Sequence, residues 1–184
     1  MQKIVVSVLG RDRPGVVALV SRVLFDQGAN IEDVSQTILQ AWFSGTFIAT
    51  MSNGDDTGDL ARRVSENLAP EGLHVSLFPL MGGAPVLAEQ ESEPFVVTTM
   101  GSDKKGLVAG ISEVMASFGV NIASLRAVFR GGESPADNVM IYEVDVPAGV
   151  DRNRLKEQLR ARAAELGLEL SMQHKRIFET LCRI

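Results

Sequence analysis

Gly10-Arg11-Asp12-Arg13-Pro14-Gly15-Val16-Val17 joins an apolar run, Ile4 to Leu9, to a helical pattern that opens near Pro14. Ninety-one positions later the stretch returns as Gly101-Ser102-Asp103-Lys104-Lys105-Gly106-Leu107-Val108. An ungapped alignment of residues 10–34 with 101–125 holds ten identities in twenty-five positions. They fall at Gly10/Gly101, Asp12/Asp103, Gly15/Gly106, Val17/Val108, Ala18/Ala109, Ser21/Ser112, Val23/Val114, Gly28/Gly119, Asn30/Asn121 and Ile31/Ile122. Average composition would give about one or two by chance. The chain is one unit written twice.

Beyond this block the offset grows. Phe47 matches Met140 at ninety-three, and Leu60/Leu155, Gly72/Gly167 and Leu73/Leu168 match at ninety-five. Two small insertions account for the growth, one of them placed in the turn-like Gly131-Gly132-Glu133-Ser134-Pro135, where added residues cost little.

Ile4 to Leu9 reads as a strand buried on both sides or at a sheet centre. Val16, Leu19, Val20, Val23 and Leu24 then recur at helical spacing, and Gly28 ends that helix. Asn30 to Trp42 reads as a strand whose imperfect alternation predicts a bulge near Asp33. Phe47, Ala49 and Met51 alternate on the next strand, and Ser52 to Asp56 is a polar turn. Leu60, Val64 and Leu68 stripe a second helix that stops between Pro70 and Gly72, before a last strand with Leu73, Val75 and Leu77.

The second copy repeats the order. Phe95 to Met100 is its first strand, and Leu107, Ile111, Val114, Met115 and Phe118 stripe the helix before Gly119. Asn121 to Phe129 and the alternating Met140, Tyr142, Val144 and Val146 form two strands. Leu155, Leu159, Ala163 and Leu166 mark the second helix, and Leu168 to Met172 the closing strand. Each half is thus expected to be α+β and ferredoxin-like, in the order βαββαβ: a four-stranded antiparallel sheet with two helices on one face. The expected domains are 1–80 and 94–178, with a linker over 81–93 and a tail over 179–184. The segment from Arg176 lies outside the repeat and either extends the last strand or packs at an interface.

Composition narrows the function. The chain has 184 residues, 45% apolar and 22% charged, near globular averages. Each half is small, so a partner surface would usefully extend its core. A net charge of −5 argues against a broad nucleic-acid footprint. Cys182 is the single cysteine, which rules out an internal disulfide and reads as an incidental thiol in a reducing compartment. No run resembles a signal sequence or a membrane span, so a soluble cytoplasmic protein is expected.

A strand, then Gly-x-Asp-x-Pro-Gly-Val, then a helix, then Gly-x-Asn-Ile into the next strand, resembles the ACT domain. Two such domains with nothing else attached resemble the glycine cleavage system transcriptional repressor family. The resemblance covers almost the whole chain. It implies a regulatory module that binds a small amino acid, glycine being one candidate, at an ACT–ACT interface. It further implies a partner, either a transcriptional regulator or an enzyme of amino-acid or one-carbon metabolism. The first copy fits the pattern closely, whereas Lys105 stands in place of proline in the second.

The physical case lies in the turn. A helix start offers unpaired N–H groups and the positive end of its dipole to a carboxylate, for about 0.3–1 kcal/mol from the dipole. Gly15 and Gly106 allow close backbone approach. Asp12 and Asp103 accept from an ammonium group, and Asn30 and Asn121 both donate and accept. With the flanking Pro14, Val16, Ile31, Leu107 and Ile122, these are the predicted ligand-binding residues. The same residues also have a purely structural reading: Asp as a helix cap, Pro14 in a first helical turn, Gly-x-Asn as turn chemistry.

Other chemistry finds no support. Leu107-Val108 stands where a phosphate loop needs lysine and a hydroxyl residue. His74 and His174 do not correspond in the repeat, and no Cys/His cluster has metal-ligand spacing. No nucleophile–base pair or carboxylate dyad appears, so neither catalysis nor a cofactor is expected. ACT domains also precede enzymes such as formyltetrahydrofolate deformylase, but no residues remain here for a catalytic domain. Arg152, Arg154, Lys156, Arg160 and Arg162 make one helix basic, diluted by Glu157 and Glu165. That pattern fits a solvated face better than direct DNA binding, and no helix-turn-helix signature accompanies it. Apolar sheet edges are compatible with a homodimer.

Overall fold

The computed structural model describes residues 1–52, 56–80, 91–129 and 138–181, with backbone alone for 129 and 179–181. Cys182, the Gly131–Pro135 turn, most of the expected linker and part of the Ser52–Asp56 turn lie outside the described residues. The chain divides into two compact units, Met1–Val86 and Leu87–Ile184.

The first unit runs β1 (Gln2–Arg11), α1 (Val16–Asp26), β2 (Asn30–Leu39), β3 (Trp42–Met51), α2 (Thr57–Leu68), a short 3-10 turn and β4 (Leu73–Pro79). The second repeats it as β5 (Ser92–Gly101), α3 (Leu107–Ser117), β6 (Asn121–Phe129), β7 (Asn138–Pro147), α4 (Arg152–Leu166) and β8 (Leu168–His174), then adds α5 (Lys175–Leu181). The sheets are antiparallel, ordered β2-β3-β1-β4 and β6-β7-β5-β8. These are two ferredoxin-like α+β units in tandem.

One face of each sheet carries the core. Ile4, Val6 and Val8 alternate inward from β1, facing Val16, Val20 and Leu24 of α1 and Leu60, Val64 and Leu68 of α2. In the second unit Val97, Tyr142 and Val144 pack with Leu107, Ile111, Leu155 and Leu159. The helical stripes read from spacing are buried in the core or, at Leu19, Val114, Phe118 and Leu166, packed partly buried against it.

Strand register corrects the sequence alignment. Val6 stands opposite Phe47, and Val97, its counterpart at ninety-one, stands opposite Tyr142. Phe47 therefore corresponds to Tyr142 at ninety-five, not to Met140 at ninety-three. All the added length falls between Phe129 and Asn138, in one connection and not two. The apolar alternation of β7 made a slip of one strand repeat invisible, because period-two patterns match themselves.

Two further differences arise at strand ends. The stretch from Asn30 to Trp42 is not one strand: Gln40 and Ala41, with φ 47° and 65°, form a two-residue hairpin turn. Primed turns favour Asn and Gly, so Gln-Ala carries no such signal in the sequence. The expected bulge is present, between Ile31 and Asp33, and it recurs between Ile122 and Ser124. The segment after β8 is a helix and does not extend the strand. It lies against β5 and β8, and Lys175 reaches Glu143 at 2.7 Å.

Candidate functional site

The two leading helices begin differently from the two trailing ones. Asp56 caps α2 by accepting from the Gly58 N–H at 2.8 Å. Asp151 caps α4 from the N–H groups of Asn153 and Arg154 at 3.0 and 3.2 Å. At α1 and α3 the cap positions are Gly15 and Gly106, with φ 92° and 85° and no side-chain hydrogen bond. Asp12 is therefore not a helix cap, and Pro14 precedes the helix instead of opening it.

Local geometry explains this start. Gly15, at φ 92° and ψ −1°, takes the third position of a type II turn over Arg13-Pro14-Gly15-Val16. That position needs positive φ, and proline suits the second. The Val16 N–H closes the turn weakly, on the Arg13 carbonyl at 3.4 Å. Gly106 keeps the same conformation at φ 85° and ψ 5° with Lys105 before it, since the second position accepts most residues. The first helical bonds are Leu19 N–H to Gly15 O and Gly110 N–H to Gly106 O, both 2.9 Å. The amides of Val17 and Ala18 precede that bond in α1, as those of Val108 and Ala109 do in α3.

Beside the first turn lies an open groove of about 660 Å³, lined by Asp12 through Ala18 and by Gln36, Ile38 and Phe43. The exposed Asp12 is fixed through its backbone, whose N–H donates to Ala41 O at 2.9 Å. This bond ties the turn to the β2–β3 hairpin. Arg13 is held aside by an ion pair with Glu71. Val16 is buried with its side chain in the core, so toward a ligand it can offer backbone only.

Asn30 and Ile31 do not meet Asp12 in this groove. They line a second concavity of about 430 Å³ with Ala18, Ser21, Arg22, Phe25 and Ala29. Ala18 borders both, so the predicted residues are split between two neighbouring concavities. Gln36, Ile38 and Phe43 were missed from sequence because they come from the strands, not the turn. Their shared face follows only once the bulge is counted.

In the second unit Asp103 and Gly106 are exposed and Leu107 is buried, matching their counterparts. Asn121 donates from its amide to Asp145 at 3.5 Å, and Ile122 is half-buried. Along the basic helix α4, Arg152 is paired with Glu93 at 2.6 Å and Arg162 with Glu165 at 2.9 Å. Two of its five cations are thereby neutralised. Among the described residues no cluster of His, Cys, Asp or Glu is arranged to hold a metal, and no helix is long and apolar enough to cross a membrane.

The profile of the ACT domain matches residues 2–75 and 93–173. The chain belongs to the ACT domain family. Both ACT units are matched over nearly their whole length, α5 lying outside the match. The chain is similar to UPF0237 proteins of archaea. With that of Pyrobaculum aerophilum it shares 42% identity over 79 residues, 42% of this chain and 88% of the relative. With that of Methanosarcina acetivorans it shares 33% over 94 residues, half of this chain and 98% of the relative. The Methanopyrus kandleri protein is 47% identical over 55 residues, but only 61% of its length is covered.

Solved structures repeat the tandem arrangement. A protein of Galdieria sulphuraria superimposes with a TM-score of 0.71 at 22% identity, over 94% of this chain and 98% of its own. A proposed glycine cleavage system transcriptional repressor does so with a TM-score of 0.63 at 22% identity, over 94% and 96%. At that identity the likeness establishes the double ACT fold.

Proposed function

We propose that this chain is a non-catalytic regulator that binds a small amino acid at the turn preceding α1 and passes the binding on to a partner protein. The observation that carries the reading is the contrast in helix caps. Where a helix serves only structure, at α2 and α4, an aspartate closes its amide end. At α1 and α3 glycine leaves that end open, which is the arrangement a carboxylate ligand requires. Asp12, at the mouth of the groove, accepts from the ligand's ammonium group. Val17 and Ala18 supply amides to its carboxylate, and Ile38 and Phe43 receive its side chain.

The groove is open along β2, an edge strand paired only with β3, so an ACT surface of a second copy would close it. A homodimer is part of this reading. The fold shared with a proposed glycine cleavage repressor supports a role in transcriptional control of amino-acid or one-carbon metabolism, with glycine among the candidate effectors. The pairing of Arg152 and Arg162 speaks against α4 as a DNA-binding face.

Calorimetry of the full chain with a panel of amino acids tests the proposal. Trp42, the single tryptophan, adjoins Phe43 and gives a fluorescence signal. Millimolar or tighter binding at the first turn, lost in Asp12→Ala, is expected. Absence of binding across the panel, with partner association unaltered by Asp12→Ala, would refute it.

A further inference from the structure

The two ACT units differ in the floor beneath the open helix end. In the first, Val8 and Phe43 are buried on the helix-facing side of the sheet, and Phe43 lines the groove. Strand register places Thr99 at the position of Val8 and Asn138 at the position of Phe43. Phe43 stands opposite Ile38 and Asn138 opposite Phe129, in the same place relative to the bulge. The apolar pair of the first unit is thus a polar pair in the second.

That polar pair has no partners. Thr99 is 0% exposed and Asn138 2% exposed. The Thr99 hydroxyl and both polar atoms of the Asn138 amide lack any hydrogen bond. Almost all buried polar groups are hydrogen-bonded, so these three atoms call for a polar partner, a ligand group or an internal water. The end of α3 is left uncapped as that of α1 is.

We infer that the turn preceding α3 takes an amino acid whose side chain ends in an amide or a hydroxyl, read by Asn138 and Thr99. This rests on the regulator reading above and adds the ligand class of the second site. The match is one of hydrogen-bond sense. Asn138 offers an unused donor and an unused acceptor, and Thr99 one of each. A carboxamide or hydroxyl is itself both donor and acceptor and satisfies them together. An alkyl side chain would leave all three atoms desolvated and unpaired, and glycine has nothing to reach them.

The experiment is calorimetry of the full chain with L-asparagine, L-serine, L-leucine and glycine. It compares the wild type, an Asn138→Leu/Thr99→Val double variant, and Asp12→Ala. Asparagine or serine is expected to bind the wild type, and to keep binding at the second turn in Asp12→Ala, which removes the first site. The double variant should weaken that binding about tenfold or more, as loss of one to two hydrogen bonds implies. Without ligand the double variant should melt at or above the wild-type temperature, since it removes unpaired buried groups. That melt keeps a folding defect from passing as a binding defect.

Equal affinity for leucine and asparagine at the second turn overturns the inference, as does a double variant that keeps the polar preference. So does a double variant that melts higher while no polar amino acid binds the wild type, which assigns the three atoms to internal water. Binding of glycine or leucine alone, abolished by Asp12→Ala, removes this inference and leaves the regulator reading standing.

Discussion

Gly10→Ala is expected to destabilise the first unit by about 1–2 kcal/mol, and the reason is visible in the sheet. A methyl group added at Gly10 would sit 2.8 Å from the carbonyl oxygen of Gly72 and 2.6 Å from Cδ2 of Leu73. The leucine tip can rotate, but the carbonyl belongs to the turn that feeds β4 and can yield only if that strand shifts. Overpacking of this kind costs about 1–3 kcal/mol, offset by about 0.4–1 kcal/mol from the stiffer unfolded chain. For a unit of this size each kcal/mol lowers the melting temperature by about 4–8 °C. Gly101→Ala should show the same loss in the second unit, where the clashing atoms are Gly167 O at 2.8 Å and Leu168 Cδ2 at 2.6 Å. Gly149→Ala is the control, because its methyl group would meet nothing within 4 Å. Thermal and urea unfolding of the three variants decide the matter. If Gly10→Ala unfolds within about 0.5 kcal/mol of Gly149→Ala, a range typical of harmless surface changes, steric exclusion is not why glycine stands there.

Lys105→Pro should stabilise the second unit by about 0.4–1 kcal/mol, since proline pre-sets the second position of a type II turn that Gly106 already completes. A lowered urea midpoint would mean that the two turns differ in backbone. Tyr142, the single tyrosine, is buried with its hydroxyl against Met140 sulfur at 3.4 Å. Burial pushes its pKa up to about 12 from 10.0. The folded state therefore holds the phenol proton more tightly than the unfolded one. The stability this contributes is complete below pH 10 and is lost as the pH rises toward 12. Phenolate absorbance rising only near pH 12, with unfolding promoted across that window, is expected; ionisation at pH 10 in the folded protein would contradict the burial.

The duplicated turn made the fold legible, because one repeat carried both strand-to-helix junctions and set the element order for each half. The stripes of α1 to α4 could be read directly, since burial on one helical face leaves a regular trace. What escaped reading lay where the physics is not periodic. The Gln40-Ala41 turn uses residues that rarely signal one. The slip between Phe47 and Tyr142 was hidden by strand alternation. The sequence of helix α5 lies outside the repeat, so no second copy of it announces the element. At the site, Asp12, Pro14, Gly15 and Val16 were found together because they are contiguous, and Asn30 was grouped with them although it faces the far end of α1. Gln36, Ile38 and Phe43 depend on strand register, which becomes certain only when both neighbours are in place.

The single extra residue in β2, repeated in β6, decides parity. Ile31 and Val34 are three positions apart, yet they oppose Ala49 and Phe47, two inward-facing residues of β3. A regular ladder through Glu32 would have turned Val34, Gln36 and Ile38 to the far side of the sheet and brought Asp33, Ser35 and Thr37 under α1. The greasy wall and the acidic mouth would then have parted company. One surplus amino acid, placed nine positions upstream of the hairpin at Ala41, is what keeps them on speaking terms.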